Sequence, residues 1–316
     1  MKKAFEKLNL RDYGVLLGFL ALCIAISIAT PSFLGKQNIL NLLRQSSIIG
    51  IISAGMTFVI ISGNFDISVG AVAALAGAIT MKFATGGTNL FASMLLGVAI
   101  CAVIGLINGI VVAKINVPSL IATMAMVTIV RGLLLMLTGE YPITENIPIL
   151  DYIGNGYLFS IPIPVVIFFI VVLASFIVLN KTKFGRYVYS VGGNQEASKL
   201  NGINVDSHKV KVFIINAVLA GIAGIVLTGR LGTATAIAGE GYDMDAIASV
   251  VIGGTSVAGG SGSVLKTVIG VLLMSVINNS FNLLGIDVYF QYIFKGLIIL
   301  AAVGFDSYSK KKLASR

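Results

Sequence analysis

The sequence predicts an all-α, polytopic transmembrane protein, and three observations support that fold class. First, 57% of the 316 residues are hydrophobic and 11% are charged, whereas soluble domains carry about 25% charged residues. Second, the apolar residues fall in runs of about 17 to 25, the helix length that crosses a hydrocarbon core about 30 Å thick. Third, much of the positive charge lies in three clusters, as expected of cytoplasmic loops. The net charge is +9, and the location of the basic residues indicates membrane topology. We therefore expect no nucleic-acid partner.

Apolar runs bounded by Gly, Pro, Asn or charged residues predict about ten spans, which form one transmembrane domain over residues 1–316. The predicted spans are 13–30, 47–62, 67–84, 90–113, 118–138, 162–180, 210–229, 244–260, 264–284 and 289–305. The first run ends at Thr30-Pro31-Ser32 without a small-residue cleavage site, so we expect it to remain attached. Residues 31–46 are predicted to form a short helix at the membrane interface.

The positions of the basic residues predict the orientation of these spans. The three clusters are Lys2, Lys3, Lys7 and Arg11; Lys181, Lys183, Arg186, Lys199, Lys209 and Lys211; and Lys310, Lys311, Lys312 and Arg316. Alternation through ten spans from a cytoplasmic N-terminus places the 181–209 loop and the C-terminus in the cytoplasm as well. The same alternation places the 139–161 loop outside, where it carries three acidic residues and no Lys or Arg.

Small residues recur at four-residue spacing in two predicted spans. They are Gly97, Cys101, Gly105 and Gly109 in the fourth span, and Ala217, Ala220, Gly221 and Gly224 in the seventh. Because such residues let helix backbones approach closely in lipid, we expect both spans to pack tightly against their neighbours.

A weak internal repeat relates two parts of the chain, roughly 47–138 and 210–305. Three motifs of the first part, Ile107-Asn108-Gly109, Ile115-Asn116-Val117 and Arg131-Gly132-Leu133, recur in order as Ile277-Asn278-Asn279, Ile286-Asp287-Val288 and Lys295-Gly296-Leu297. The copies lie five predicted spans apart, an odd number, so they have opposite orientations in the membrane. Inverted repeats are typical of transporters that place a solute pathway between their halves.

The sequence contains no recognisable enzyme or cofactor signature. The segment Gly254–Ser261 has the glycine spacing of a phosphate-binding loop, but Gly260 stands where the phosphate-binding Lys is required. Cys23 and Cys101 offer neither a metal-ligand spacing nor a disulfide framework. We therefore expect a protein that is not an enzyme and that holds no metal or cofactor of its own.

The 181–209 loop contains the most specific local pattern. Asn194 is a favourable N-cap, residues 195–200 can form a short helix, and Gly202 is a helix stop. A short polar helix held between glycines predicts a docking element at the cytoplasmic surface. An ordinary basic loop is the alternative interpretation.

Several segments resemble the membrane permeases of ribose-type ABC importers, and together they span nearly the whole chain. These segments are Gly63-Asn64-Phe65-Asp66-Ile67-Ser68-Val69-Gly70, Arg186-Tyr187 through Gly193-Asn194, Gln195 through Ile203, Gly241-Tyr242-Asp243-Met244-Asp245-Ala246-Ile247-Ala248, Val251 through Ser256, and Asn278-Asn279 to Gly285. Asn64-Phe65-Asp66 departs from the Gly-Ile-Asp expected of the ribose branch, so the exact sugar is left open.

The resemblance implies a homodimer in the bacterial inner membrane, with ten helices per subunit in an architecture like that of the vitamin B12 importer. It also implies a cytoplasmic ATP-binding cassette subunit, which holds ATP and Mg, and an extracytoplasmic sugar-binding protein. In that family the segment from Gly193 to Ile203 is the helix that docks into the ATPase. The residues implied in this coupling are Gly192, Gly193, Asn194, Glu196, Ala197, Leu200, Gly202 and Ile203.

Polar residues in and beside the predicted spans are candidates for the translocation pathway, because such groups are costly in a membrane. These candidates are Asp66, Asn108, Arg131, Asp245, Asn278 and Asn279. Helix capping by the carboxylates and hydrogen bonding between helices by the amides are the alternatives. A secondary transporter driven by an ion gradient is the competing function. It requires an ionisable centre near mid-membrane, whereas Asp66 and Asp245 fall near predicted span ends.

Overall fold

Helices dominate the computed structural model, which describes the backbone of residues 10–314 and the side chains of residues 14–301, 303 and 304. Within that range there are thirteen α-helices. The first seven are α1 (Leu10–Ala29), α2 (Lys36–Ile61), α3 (Val69–Thr85), α4 (Leu90–Ala113), α5 (Ser119–Thr138), α6 (Pro148–Asn155) and α7 (Ile163–Lys181). The other six are α8 (Lys183–Gly193), α9 (Gln195–Leu200), α10 (Val205–Leu231), α11 (Tyr242–Ile252), α12 (Val264–Leu283) and α13 (Val288–Ala314).

Extended structure in the described residues is limited to two small antiparallel pairs. The strands are β1 (Ile143–Thr144), β2 (Tyr157–Leu158), β3 (Ile161–Pro162) and β4 (Thr233–Ala234). β1 pairs with β4, and β2 pairs with β3. The first pair attaches the segment between α5 and α7 to the end of α10, and the second is a hairpin within that segment.

A helix lies at each of the ten predicted spans, but not every helix is long enough to cross a membrane. Six described helices are both long and apolar enough, namely α2, α4, α5, α7, α10 and α12. Shorter apolar stretches are Gly14–Ala29, Val69–Thr85 and Val288–Ala301. The structure therefore shows a polytopic membrane protein, while the count of ten complete spans stays a prediction.

The prediction for the eighth span, 244–260, was wrong in its second half. The corresponding helix, α11, has 11 residues and ends at Ile252, a length of about 16 Å at 1.5 Å per residue. Gly254 follows with φ +89°, a left-handed conformation that ends the helix. α11 is therefore about half as long as a complete span.

The predicted interfacial helix within residues 31–46 was also wrong. A 3-10 turn occupies Pro31–Leu34, and the rest of the segment is the start of the 26-residue helix α2. Arg44 can lie inside the protein because its Nη2 donates to the carbonyl oxygen of Asn155 at 3.0 Å, and its guanidinium lies 4.9 Å from the centre of the Tyr157 ring. These contacts offset the cost of burying the charge.

The core of the described structure surrounds α10, which packs against α4, α3 and α2. Small residues make this packing possible. A Cβ at Gly224 would overlap the carbonyl oxygen of Ala73, and one at Gly105 would crowd the backbone of Phe213 and Ile214. The tight packing predicted from the small residues of the fourth and seventh spans is confirmed.

Gly224→Ala is expected to lower the free energy of unfolding by about 1–3 kcal/mol, because the added methyl group overlaps the backbone of α3. Unfolding of the full chain in mixed detergent micelles, followed by circular dichroism, measures this effect. Gly18→Ala in α1 is the matched control, since nothing lies within 4 Å of a Cβ there. Equal stability of the two variants would contradict the close approach of α10 and α3.

Candidate functional site

A large cavity in the described part of the structure has a volume of about 660 Å³. Its walls come from the start of α3, one face of α5, the segment before α11 with the first turn of α11, and one residue of α13. The lining residues are Ile67, Gly70, Ala71, Met124, Val127, Thr128, Arg131, Ala236, Ile237, Gly239, Glu240, Gly241, Asp243, Met244 and Tyr292. Small-molecule sites usually measure about 300–1,000 Å³ and combine apolar walls with a few polar groups. This cavity has the size and composition to hold a small polar solute.

The segment between β4 and α11 forms one wall of the cavity, and we call residues 235–241 the entry segment. Gly239 and Gly241 have φ of +67° and +79°. Gly239 lies against Gly70 at the start of α3, so closely that a Cβ on either glycine would overlap the backbone of the other. Only glycine fits this approach, which brings the segment before α11 directly onto the start of α3.

Arg131 holds the entry segment in place from the opposite wall. Its Nη1 donates to the carbonyl oxygen of Ala236 and, at 3.0 Å, to that of Ala238. These hydrogen bonds satisfy two carbonyl groups that have no strand or helix partner in the described structure. Arg131 is therefore both a cavity residue and an anchor for the cavity wall.

Asp66 sits at the start of α3 in a network without a cation. Asp66 is 1% exposed. Its carboxylate accepts hydrogen bonds from Ser68 N at 2.9 Å, Ser68 Oγ at 2.6 Å and Asn216 Nδ2 at 2.9 Å. Asn108 Nδ2 in turn donates to Ser68 Oγ at 3.1 Å. These donors and the positive end of the α3 dipole stabilise a buried carboxylate. The network joins the start of α3 to α4 and α10.

The contact with Asn216 places Asp66 far from the end of α10. Asn216 is eleven residues after Val205, so it lies about 16 Å along the helix axis. Asp66 lies, as predicted, in the break between the second and third spans, since α2 ends at Ile61 and α3 begins at Val69. The chain turns back beside α10 before α3 begins, which a hydropathy profile does not reveal.

Asp245, in the first turn of α11, has a cationic partner. Lys295 Nζ lies 3.0 Å from Asp245 Oδ1 and 3.1 Å from Oδ2, and Asn278 Nδ2 donates to Oδ2 at 3.3 Å. Lys295 also lines a second cavity of about 250 Å³, which shares Glu240, Gly241, Met244 and Tyr292 with the first. This pair joins α11 to α12 and α13.

The two parts of the predicted repeat make related contacts. Asn108 and Asn278, which occupy equivalent positions in the repeat, both reach the acidic start of the preceding helix. Arg131 and Lys295, also equivalent, both bind the region around the start of α11. The inverted symmetry itself stays a prediction.

The six predicted pathway residues do not form one site. Arg131 lines the large cavity, whereas Asp66, Asn108, Asp245 and Asn278 are buried behind its walls. Asn279 exchanges hydrogen bonds of 2.8 and 3.0 Å with Asn38 of α2.

Three cavity residues, Glu240, Asp243 and Tyr292, are not among the six predicted pathway residues. The available signal was a pair of acidic residues beside Gly239 and Gly241. That signal also fits an ordinary helix start.

The predicted docking helix is present as α9. Asn194 is its N-cap, and its Oδ1 accepts from Ala197 N at 2.9 Å. Gly202 has φ +77°, and Ile203 N donates to Ser198 O at 3.0 Å, which closes the helix end. The exposed residues of α9 include Glu196, Ala197 and Leu200, and Leu200 is 89% exposed.

One contact joins α9 to the preceding helix α8, and three attach this pair of helices to the rest of the protein. Ser190 Oγ and Ser198 Oγ lie 2.9 Å apart, and Lys209 Nζ donates to Gln195 Oε1 at 2.9 Å. Gly192 packs on the carbonyl of Ile61, which also accepts from Gly260 N at 2.9 Å. The base of α9 is thus connected to the end of α2 and to the turn between α11 and α12. Gly193 lies beside Gly260 in the same junction.

Comparison of the amino-acid sequence with known protein families identifies the family of this chain. Residues 38–303 match the model of a family described as branched-chain amino acid transport system / permease component. The chain belongs to this permease family. The family prediction made from the sequence motifs is confirmed, as is the multi-pass membrane character of the permease.

Curated relatives match the permease over nearly its full length. The ribose import permease protein RbsC of Haemophilus influenzae is 43% identical over 303 residues, which cover 93% of this chain and 94% of that protein. RbsC of Bacillus subtilis is 42% identical over 300 residues, covering 94% and 93%. The L-arabinose transport system permease protein AraH of Escherichia coli is 35% identical over 300 residues, covering 95% and 92%. No solved structure matches the permease significantly.

Proposed function

We propose that this permease is the membrane subunit of an ATP-driven importer of a monosaccharide, ribose or a related sugar, in the bacterial inner membrane. The observation that carries the proposal is its similarity over nearly the full length to two proteins named ribose import permease, at 43% and 42% identity. The large cavity, which combines apolar walls with Thr128, Arg131 and two carboxylates, fits a small polyhydroxy solute.

Two copies of the permease form the complete pathway in this proposal, in an architecture like that of the vitamin B12 importer. The N- and C-termini lie in the cytoplasm, so that α9 faces a cytoplasmic ATP-binding cassette subunit. An extracytoplasmic binding protein delivers the sugar to the opposite side. ATP and Mg belong to the ATPase partner, and this chain contributes the pathway and the coupling helix.

The contacts at the base of α9 supply a route for coupling. Motion of α9 and α8 acts on Ile61 at the end of α2 and on Gly260 in the turn after α11, because Gly192 touches the first and Gly193 lies beside the second. α2 leads into the start of α3, and α11 carries the entry segment. Both are walls of the cavity, so a rigid-body shift of α9 changes the shape of the cavity.

A secondary transporter is the second candidate, and one observation favours it. Asp66 is a buried carboxylate whose partner Asn216 lies near the middle of α10, where an ion-coupled transporter needs an ionisable group. Three donors nevertheless stabilise Asp66, and they link the start of α3 to α4 and α10. A structural role accounts for these contacts, and the named relatives support the importer.

Uptake of radiolabelled D-ribose into proteoliposomes separates the two functions. We expect uptake only when the permease is reconstituted with its ATPase, its binding protein and internal ATP-Mg, without dependence on a proton or sodium gradient. Liposomes with a non-hydrolysable ATP analogue are the control. Uptake by the permease alone, driven by an ion gradient, would contradict the importer and support the secondary transporter.

A further inference from the structure

The residues that line the large cavity carry more negative than positive charge. Of the residues that line it, Arg131 is the single cation, while Glu240 and Asp243 are carboxylates, which gives a formal charge of −1. The guanidinium of Arg131 interacts electrostatically with both carboxylates. It is also held by the carbonyl oxygens of Ala236 and Ala238. The two carboxylates outnumber the single guanidinium, so the net charge that an incoming ligand meets is negative.

The neighbouring cation does not reverse this balance. Lys295 lines the adjoining cavity, but its Nζ lies 3.0 Å from Asp245 Oδ1, so the charges of this pair cancel. Glu240 borders both cavities and is exposed. A net negative charge between low-dielectric walls lowers the local concentration of anions and raises that of cations. The combined space is thus unfavourable for anions.

The same groups suit an uncharged sugar. Hydroxyl groups donate charge-assisted hydrogen bonds to carboxylates, and these are stronger than bonds between neutral groups. Thr128 Oγ1 adds a hydroxyl that donates and accepts, and the exposed ring of Tyr292 offers an apolar face for the C–H groups of a sugar ring.

We propose that Glu240 and Asp243, together with Tyr292 of α13, make the cavity a charge filter that accepts uncharged polyhydroxy solutes and excludes anionic ones such as sugar phosphates. The proposal rests on the proposed function in one respect, the identification of the cavity as the sugar pathway. It assigns selectivity to the permease itself, in addition to any selection by a binding protein.

Thiol reactivity inside the cavity tests the filter without sugar or ATPase. The probe is Thr128→Cys in the full-length permease in detergent micelles, with Cys23→Ala and with buried Cys101 retained. We expect a cationic methanethiosulfonate reagent to react at least about 10-fold faster than an anionic one. Glu240→Gln with Asp243→Asn is expected to remove most of that preference.

Two controls keep the test decisive. Thr88→Cys, exposed in the turn between α3 and α4, reports the reagents' intrinsic preference, which the double substitution should leave unchanged. Glu240→Gln alone changes an exposed side chain and is expected to reduce the preference partially even if the double variant folds poorly. A Thr128→Cys preference equal to that at Thr88→Cys, or unaffected by removal of the carboxylates, would overturn the filter.

Protection from a neutral maleimide tests the choice of ligand. D-ribose at millimolar concentration is expected to slow modification of Thr128→Cys, and D-ribose 5-phosphate is expected to protect several-fold less. In the Glu240→Gln, Asp243→Asn variant the two sugars should protect similarly. The proposal would be refuted if both sugars protected Thr128→Cys equally while Glu240 and Asp243 are present, or if ribose gave no protection. Failure of ATP-driven uptake with an intact thiol preference would instead refute the proposed function alone.

Discussion

Lys295→Met is expected to lower the free energy of unfolding of the permease by about 3–5 kcal/mol, the usual cost of leaving a buried charge without its partner. Asp245 is 4% exposed, and its carboxylate has Lys295 at 3.0 Å and Asn278 at 3.3 Å. After the substitution the ion pair is lost, and the amide of Asn278 remains as the donor to the Asp245 carboxylate. Equilibrium unfolding in mixed detergent micelles, followed by circular dichroism, measures the loss.

A second variant distinguishes the lost charge from the lost side chain. Lys295→Met combined with Asp245→Asn is expected to recover most of the stability, because no uncompensated charge remains at the site. Lys82→Met is the matched control, since Lys82 is exposed in the last turn of α3 and should change stability by less than about 0.5 kcal/mol. If the double variant is as unstable as Lys295→Met, the ion pair does not explain the effect.

Leu200→Glu is expected to weaken association with the ATPase about 10- to 100-fold and to reduce ATP-driven sugar uptake correspondingly. Leu200 is 89% exposed on α9, and burying a leucine on docking contributes about 1.5–3 kcal/mol. The substitution removes that contribution and adds a carboxylate that must be desolvated. Co-purification of the ATPase with the permease and uptake into proteoliposomes measure the two effects.

The matched control places the same substitution away from α9. Leu231, the last residue of α10, is 53% exposed, so Leu231→Glu should fold and leave ATPase association unchanged. Both variants should unfold with the same free energy as the unsubstituted permease. Normal ATPase association of Leu200→Glu would remove α9 from the coupling mechanism.

Local features were predicted well because their causes are local. Helix α9 depends on an N-cap at Asn194 and a left-handed glycine at Gly202, and both can be recognised in a few residues of sequence. The spacing of small residues likewise predicted that α4 and α10 have close neighbours. In each case the physical determinant lies within one element.

Predictions that depended on hydropathy alone failed at two places. The residues after Ile252 include Gly253, Gly254 and Val257 and are apolar in composition, so a hydropathy profile continues the eighth span through a turn. Residues 31–46 were predicted to lie at the interface, although a carbonyl group and an aromatic ring allow Arg44 in this segment to lie inside the protein. Composition measures the tendency of a segment to leave water, and it does not contain the partners that a polar group finds.

The sequence by itself determined that the chain is a helical membrane protein of this permease family and where the short helix α9 lies, because hydropathy, helix caps and family motifs are properties of contiguous residues. Only the tertiary structure decided which residues line the cavity. Arg131 meets Ala236 across 105 positions of sequence, and Asp66 meets Asn216 across 150. Contacts of this kind arise when a helix and a neighbouring segment pack through glycines such as Gly70 and Gly239, and their geometry exists only after the chain has folded.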